Sequence, residues 1–415
     1  MDRRQIRVAI WDDRPEQLAS LRRDVDRAIE GNSGVEIVNF DEASIKAGVE
    51  WLESMFDSKG VASDGSLSSI DVLCIDYDLR AIEKHSWLTA DTLAGLVRAF
   101  TECPCVVVLN RPPRVAFDLT LVGAWEGPGD LQLLPGLLGR PVFWGAETEA
   151  RKESELVFKP WHWLDLFAVR GQTQAKLDAL EKYGPDLADM DIFAFLEFPD
   201  EVRSRLSWRA LGALSNAIAS DDPRLTFESF IKNGARCLLP ERFEQISIRD
   251  DASRPVALRI IAFELGRWVR EQVVAGQDVL VDLPHLIARA PWLFKGSQLD
   301  RSAWNRLAAL GGDCFAQGLV PDWLIEYRYA RQEWTGREVF LWESLQRDPR
   351  FAMSDSDVPE AGFGDFVFAE DCSEFVSMGA ARTFIAGFGN LWDQRYVALD
   401  PEAGFPYGPL VRFAL

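Results

Sequence analysis

The stretch LCIDYDL, residues 73–79, decides the fold of the first part of the chain. It begins inside a compact apolar run and places Asp76 directly after that run. WDDRPEQL likewise places Asp12 and Asp13 after the apolar run IRVAIW, and VFKPW places Lys159 after a third one. Charged residues at the ends of several short strands are typical of a site at one edge of a parallel sheet.

Short apolar runs alternate with amphipathic segments through the first 170 residues. The predicted strands are IRVAIW (6–11), GVEIVNF (34–40), IDVLCID (70–76), CVVVLN (105–110) and ELVFK (155–159). The predicted helices are PEQLASLRRDVDRAI (15–29), residues 44–56 and ADTLAGLVRAF (90–100). This alternation predicts an α/β fold with a doubly wound, parallel, five-stranded sheet covered on both faces. The carboxyl ends of its strands share one edge, where the charged residues converge.

The charged residues suit phosphoryl transfer. Three carboxylates at one edge repel one another unless a cation lies between them. Mg²⁺ prefers such hard oxygen ligands and keeps some of its waters. Asp76 is then the nucleophile toward a phosphoryl group, while the metal and the Lys159 ammonium neutralise charge on the phosphoryl oxygens. We therefore expect Mg²⁺ as the cofactor.

These motifs resemble the response-regulator receiver domain of two-component signalling, and the resemblance covers residues 1–170. It implies that Asp12 and Asp13 are the acidic metal pair and that Asp76 is both the phosphoacceptor and a further metal ligand. It also implies that Lys159 contacts the phosphate and that the backbone carbonyl of Asp78 completes the metal shell.

The chain departs from the receiver pattern at the positions that relay the signal. Asn110 stands at the switch position after the fourth strand, where the family has Thr or Ser. Leu156 matches the usual aromatic residue of the fifth strand, and residues 111–154 form a long insertion with Pro, Gly and Trp. An Asn amide can still donate a hydrogen bond to a phosphoryl oxygen. The domain is either phosphorylated and signals through an unusual surface, or it is a constitutive docking module.

Each motif also has a simpler interpretation. In DRPE, Asp13 could be a helix N-cap, with Pro at the first helical position and Glu16 three residues later. Asp76 could be a turn former, and Lys159 with Pro160 an ordinary loop dipeptide. The receiver interpretation therefore rests on the joint pattern and not on a single motif.

Composition restricts the function further. The chain has 415 residues and a formal net charge of −20, which disfavours nucleic acid as a partner because that affinity comes from Lys and Arg. The six cysteines are scattered and predict buried thiols in a reducing compartment. The stretch MDRRQIRVAIWDD (1–13) is a short basic lead into a strand without the long apolar region typical of a signal peptide, and no apolar run approaches the about 20 residues that cross a bilayer. We expect a cytoplasmic protein without a membrane partner.

Residues 171–415 predict a mainly helical output or interaction domain, with two subdomains as an alternative. Apolar residues recur there at three- and four-residue spacing. The region is rich in tryptophan, which fills helical cores or forms partner surfaces. These tryptophans are Trp208, Trp268, Trp292, Trp304, Trp323, Trp334, Trp342 and Trp392.

No independent catalytic motif appears in residues 171–415. His285 could be a general base, but a structural residue near a helix start is the simpler interpretation. GFGN (387–390) is typical of a turn, and FAEDCSEF (368–375) of a solvated acidic loop. A site built from Asp278, Glu370 or Asp371 would still indicate an enzyme of unfamiliar type. Whether the protein is an enzyme beyond the self-phosphorylation of Asp76 stays open.

Together these features predict a two-component-type signalling protein. A partner histidine kinase or a small phosphodonor supplies the phosphoryl group to Asp76. The helical region then acts through contacts with an output protein, with homodimerisation as one option. The alternative is a non-catalytic pseudo-receiver that serves as a scaffold.

Overall fold

The structure of the protein is a computed structural model. The described residues are 5–31, 34–58, 67, 69–77, 79, 90–109, 129–133, 135–139, 144, 166–206, 211, 214, 225–234, 246–277, 279–294, 301–353, 366–369, 374–385 and 394–398.

Four parallel strands with flanking helices form the first part of the chain. The strands are β1 (Ile6–Trp11), β2 (Val35–Val38), β3 (Val72–Asp76) and β4 (Cys105–Leu109), in the order β2-β1-β3-β4. The helices are α1 (Pro15–Ala28), α2 (Glu42–Ser58) and α3 (Ala90–Phe100). Every residue of β4 is buried, as expected for a parallel strand covered on both faces. The predictions of these four strands and three helices are confirmed.

A short strand, β5 (Leu131–Leu133), extends the sheet beside β4 and runs parallel to it. Asp130 directly precedes this strand. Its backbone N–H donates to the Val106 carbonyl at 2.7 Å, and its carboxylate accepts from the Val106 N–H at 2.7 Å. This strand lies inside the segment 111–154 that we interpreted as an insertion. The predicted fifth strand, residues 155–159, lies outside the described residues.

The remainder of the chain is mainly helical. Its helices are α4 (Leu166–Glu181), α5 (Ile192–Phe195), α6 (Asp200–Arg205), α7 (Phe227–Ser229), α8 (Arg254–Trp268), α9 (Leu283–Arg289), α10 (Arg301–Leu310), α11 (Asp313–Ala316) and α12 (Trp342–Gln346). Its strands are β6 (Leu280–Asp282), β7 (Val339–Leu341), β8 (Phe366–Ala369), β9 (Glu374–Ser377), β10 (Ala381–Ile385) and β11 (Gln394–Ala398). The pair β6-β7 is antiparallel, and the other four form a sheet in the order β10-β11-β8-β9.

Helix α8 joins the helical region to the N-terminal sheet. It packs against both α3 and α4, and the buried apolar residues of these elements belong to one continuous core. The Arg259 guanidinium of α8 donates to the Thr101 carbonyl at 2.9 Å, just after α3 ends. Arg170 of α4 lies 2.7 Å from the Asp71 carboxylate, next to the start of β3. Helix α4 thus runs across the boundary that we expected near residue 170.

The tryptophans and cysteines of the described residues belong mostly to the core. Trp304 and Trp334 are fully buried, whereas Trp292, Trp323 and Trp342 are partly buried. Four described cysteines are free and buried, as the sequence predicted: Cys74, Cys103, Cys105 and Cys314.

Within the described ranges, no helix combines the length and the apolar character needed to cross a membrane.

Candidate metal and phosphoacceptor site

Three carboxylates meet at the carboxyl edge of the N-terminal sheet. Asp12 and Asp13 directly follow β1, and Asp76 ends β3, the neighbouring strand. One carboxylate oxygen from each of these residues lies within 4.8 Å of the other two. We call Asp12, Asp13 and Asp76 the acidic cluster. The convergence that the sequence predicted for these three residues is therefore present in the fold.

The start of α1 orients Asp12. The Arg14 backbone N–H donates to the Asp12 carboxylate at 2.8 Å, which turns the chain just before the helix. Pro15 occupies the first turn of α1, where its missing N–H costs little. Arg14 is the N-cap residue, and its side chain makes no capping hydrogen bond. The alternative interpretation of Asp13 as the N-cap residue is therefore wrong.

Trp11 anchors the strand end that carries the two adjacent carboxylates. Its indole is fully buried and lies edge to face with Phe40, with ring centroids 5.9 Å apart. Gly48 of α2 leaves the space for this ring, because a Cβ at Gly48 would stand 2.8 Å from Trp11 Cη2. A large, rigid ring in a tight pocket restrains the backbone that leads into Asp12.

Backbone hydrogen bonds hold the chain on either side of Asp76. Asp76 pairs in register with Leu109 of β4, and the Tyr77 N–H donates to the Leu109 carbonyl at 2.9 Å. The Tyr77 carbonyl accepts from the Ala90 N–H at 3.1 Å, which connects the strand end to the first residue of α3. The side chain of Tyr77 is 40% exposed, so this part of the edge is open to solvent.

The donor set of the acidic cluster fits a hard divalent cation. Asp12 is 2% exposed, while Asp13 and Asp76 are half-buried. Three carboxylates this close are stable when a cation or water separates their charges. Mg²⁺ typically takes one or two carboxylates and fills its shell with water or phosphate oxygens. Asp12, Asp13 and Asp76 are the residues that could hold such an ion.

Several predicted site residues lie outside the described residues. They are Asp78, Asn110, Leu156, Lys159 and Pro160. Their roles as metal ligand, switch residue and phosphate contact stay predictions. The same holds for Asp278, Glu370, Asp371 and the turn GFGN.

His285 lies in a buried network at the start of α9. The Asp282 carboxylate accepts from the His285 N–H at 3.1 Å and caps the helix. The same carboxylate lies 2.6 Å from His285 Nδ1 and 2.9 Å from an Arg337 nitrogen. Burial raises the pKa of Asp282, but the charges and hydrogen bonds of His285 and Arg337 outweigh it and hold that pKa far below its usual range. The network supports the structural interpretation of His285.

Sequence reasoning overlooked a set of buried basic residues between helices. Lys176 of α4 is 5% exposed, and Arg98 of α3 is buried beside Asp130. No spacing rule relates residues that come from separate helices, so no sequence signal marked them.

The acidic cluster is the best-defined candidate site among the described residues. It is the one group of three or more His, Cys, Asp or Glu side chains there with ligand atoms close enough to hold a metal ion. No protein-family model, curated protein or solved structure matches the chain, so the geometry of the acidic cluster carries the functional argument.

Proposed function

We propose that residues 1–170 form a receiver-like domain that binds Mg²⁺ and accepts a phosphoryl group on Asp76. The observation that carries this proposal is the convergence of Asp12, Asp13 and Asp76 within 4.8 Å at the strand ends of a parallel sheet. The doubly wound five-stranded fold of the receiver family is part of the same proposal. The described strand order and the acidic cluster agree with it.

Exposure and position favour Asp76 over Asp12 as the nucleophile. Asp12 is 2% exposed, and its carboxylate already accepts the Arg14 N–H. Asp76 is half-buried, ends a strand between β1 and β4, and precedes an exposed residue. A phosphodonor therefore has a shorter path to Asp76, which lies next to two further carboxylates.

The reaction is a direct transfer. An Asp76 carboxylate oxygen forms a bond to the phosphorus of acetyl phosphate, and the bond between phosphorus and the acetyl oxygen breaks. Acetate leaves with the electron pair of that bond, and no proton is transferred. When bound, Mg²⁺ would supply charge neutralisation at the phosphoryl oxygens. In this proposal Asp12, Asp13 and Asp76 would hold the ion together with the backbone carbonyl of Asp78, and Lys159 would contact the phosphate.

Two hydrogen bonds, one at each end of α3, connect the neighbourhood of Asp76 with the helical region. Helix α3 begins at Ala90, whose N–H donates to the carbonyl of Tyr77, the residue after Asp76. The far end of α3 meets α8 through the Arg259 hydrogen bond to the Thr101 carbonyl. A phosphoryl group adds charge and acceptor oxygens that bias a two-state element. In this proposal a histidine kinase or small phosphodonor supplies the signal, and residues 171–415 pass it to a protein partner in the cytoplasm.

Intact mass spectrometry after incubation with acetyl phosphate tests the proposal. We expect a phosphoryl adduct of about 80 Da that requires Mg²⁺ and is lost in Asp76→Asn. Asp71→Asn is the matched control, because this carboxylate lies at the opposite end of β3 and pairs with Arg170. The absence of an adduct, together with no effect of Mg²⁺ on thermal stability, would replace the proposal with the scaffold alternative.

A further inference from the structure

Arg14 lies at the rim of the acidic cluster. Its backbone N–H donates to the Asp12 carboxylate at 2.8 Å, so its main chain is in direct contact with the cluster. Its side chain is exposed. Among the described residues within three positions after a strand of the N-terminal sheet, Arg14 is the one that carries a positive charge. In this described part of the edge, one cation therefore borders three carboxylates.

The start of α1 gives no structural reason for an arginine at position 14. Arg14 is the N-cap residue of α1, a position that favours Ser, Thr, Asp and Asn because their side chains accept hydrogen bonds from backbone N–H groups. The Arg14 side chain makes no capping hydrogen bond. The helix dipole also places partial positive charge at this end, which disfavours a cation. An arginine at this position is therefore unfavourable for the helix.

The Arg14 guanidinium is available to a ligand. Within the described part of the chain it forms no ion pair and no hydrogen bond, although Asp13 and Glu16 are close in sequence. An exposed side chain of this kind changes its rotamer rapidly. The Asp12 carboxylate, which accepts the Arg14 N–H, has an oxygen within 4.8 Å of an Asp76 carboxylate oxygen. The long side chain of Arg14 is therefore within reach of a phosphoryl group at Asp76.

A small phosphodonor needs a cation on its way to Asp76. A phosphoryl group carries a charge of about −1.5 to −2 at neutral pH, and the carboxylates of the acidic cluster repel it. One Mg²⁺ ion would offset only part of their charge. A guanidinium binds phosphoryl oxygens through two parallel N–H groups, and a cation beside a site raises the rate at which an anion reaches it. A small phosphodonor has no protein surface of its own, so its recruitment depends on side chains at the rim.

We propose that the Arg14 guanidinium binds the phosphoryl oxygens of a small acyl phosphate and holds its phosphorus against Asp76. This inference rests on the proposed function and adds the residue that recruits the phosphodonor. Arg14 donates hydrogen bonds and keeps its proton throughout, because a guanidinium does not deprotonate in proteins. The bond that forms and the bond that breaks are those of the direct transfer to Asp76.

The rate of adduct formation with acetyl phosphate tests this inference. Intact mass spectrometry of the full chain follows the adduct in the presence of Mg²⁺ and at acetyl phosphate concentrations below saturation. At low ionic strength we expect Arg14→Gln to react at least about fivefold more slowly than the wild type, and Arg14→Lys to keep most of the wild-type rate. The difference between Arg14→Gln and the wild type should shrink at high ionic strength, because salt screens the attraction. A merely structural role of Arg14 would not produce this dependence on salt.

Arg23→Gln is the matched control for Arg14→Gln. Arg23 is an exposed arginine of the same helix, and it lies about 14 Å further along the helix axis. Its replacement removes the same charge from the chain. Arg23→Gln should therefore form the adduct at the wild-type rate.

Binding of acetonylphosphonate separates this inference from the proposed function. This analogue of acetyl phosphate has a methylene group in place of the bridging oxygen, so it does not transfer its phosphoryl group. Isothermal titration calorimetry with Mg²⁺ present should show weaker binding to Arg14→Gln than to the wild type and Arg23→Gln. If this difference appears but the wild type forms no adduct, the transfer to Asp76 is wrong and the role of Arg14 stands. Equal adduct rates and equal analogue binding in the wild type and Arg14→Gln would overturn the role of Arg14 and leave the transfer intact. The absence of both the adduct and analogue binding in the wild type would overturn both.

Discussion

The acidic cluster and a cationic cluster, formed by Arg98, Lys176 and Arg267 between α3, α4 and α8, place like charges together in two different ways. The carboxylates of Asp12, Asp13 and Asp76 lie at the edge of a sheet, beside the exposed Tyr77. The amine of Lys176 lies between helices and is almost completely buried. At the sheet edge, water or a cation can relieve the repulsion at little cost. Between helices, each charge needs its own counter-ion, because desolvation makes an unpaired charge expensive.

The difference indicates how each cluster depends on the rest of the molecule. Loss of one carboxylate charge from the acidic cluster removes a repulsion between like charges. Loss of the Arg98 charge from the cationic cluster leaves a buried ion behind, because Arg98 and Asp130 are both buried and each neutralises the other. We therefore expect substitutions in the acidic cluster to change mainly ligand binding. Substitutions in the cationic cluster should change mainly the free energy of unfolding.

The largest expected effect comes from breaking the buried ion pair. Arg98→Met leaves the Asp130 carboxylate buried without its cation, and it also removes a 3.0 Å hydrogen bond to the Cys103 carbonyl. We expect the free energy of unfolding to fall by about 3–5 kcal/mol. Urea denaturation followed by circular dichroism measures the change.

An arginine-to-methionine substitution at an exposed ion pair is the control for Arg98→Met. Arg249 lies 2.5 Å from Asp189, and both side chains are more than half exposed. Arg249→Met should lower the free energy of unfolding by about 0–1 kcal/mol, because solvent screens such pairs. If Arg98→Met and Arg249→Met lowered the free energy of unfolding by similar amounts, burial would not determine the cost of breaking an ion pair in this protein.

The next effect concerns the acidic cluster and Mg²⁺. At a concentration of about 100 times its dissociation constant, a ligand that binds only the folded state stabilises it by about 2.7 kcal/mol. We expect this stabilisation in the wild type and its loss in Asp13→Asn. Without Mg²⁺, Asp13→Asn should be slightly more stable than the wild type, because one repulsive charge is gone. Thermal denaturation with and without Mg²⁺ measures both effects.

Glu50→Gln is the control for the magnesium experiment. Glu50 is an exposed carboxylate on α2, and its loss removes the same charge from a different surface. The Mg²⁺ effect should survive in this variant. An equal loss in Glu50→Gln and Asp13→Asn would indicate nonspecific screening and would leave the acidic cluster without a metal role.

The two clusters also differ in how far the sequence could predict them. The apolar runs of β1, β3 and β4 indicated buried parallel strands, and the shared edge of such strands brought Asp12, Asp13 and Asp76 together. Strand β5 was not predicted, because its three residues lie in a segment rich in Pro, Gly and Trp, where periodicity carries little information. The cationic cluster could not be predicted either. Its residues come from separate helices, and no spacing rule determines which faces of distant helices meet.

A third prediction tests how the acidic cluster is positioned. Gly48→Ala places a methyl group 2.8 Å from Trp11 Cη2, so the ring or α2 must shift. Overpacking of this kind costs about 1–3 kcal/mol, and here it should also weaken the Mg²⁺ effect because Trp11 precedes Asp12. Urea denaturation and the magnesium titration measure the two consequences.

Gly171→Ala is the matched control for this substitution. Gly171 also lies in a helix, α4, but a Cβ there meets no atom within 4 Å. Alanine should therefore stabilise α4 by about 0.5–1 kcal/mol through its helix propensity. If Gly48→Ala were also stabilising, the contact between α2 and Trp11 would not restrain the strand end.

The smallest effect is a pH dependence that belongs to the cationic cluster. Burial is the largest of the effects that lower the pKa of Lys176 well below its usual value of 10.5. The charges of Arg270 and Arg98 lower this pKa further, and the charge of Glu333 raises it. The unfolded chain therefore holds this proton more strongly than the folded one. The free energy of unfolding should therefore fall as the pH is lowered from 10.5 to the folded-state pKa of Lys176.

Comparison with Lys176→Met isolates this contribution from every other titrating group. The free energy of unfolding of the wild type should rise with pH in that window, relative to Lys176→Met, by at most about 1.4 kcal/mol per pH unit. Urea denaturation midpoints at two pH values below 10.5 measure the slope. Lys182→Met, at an exposed lysine just after α4, should retain the slope of the wild type. An equal slope in Lys176→Met would mean that the Lys176 amine keeps its proton in both the folded and the unfolded state.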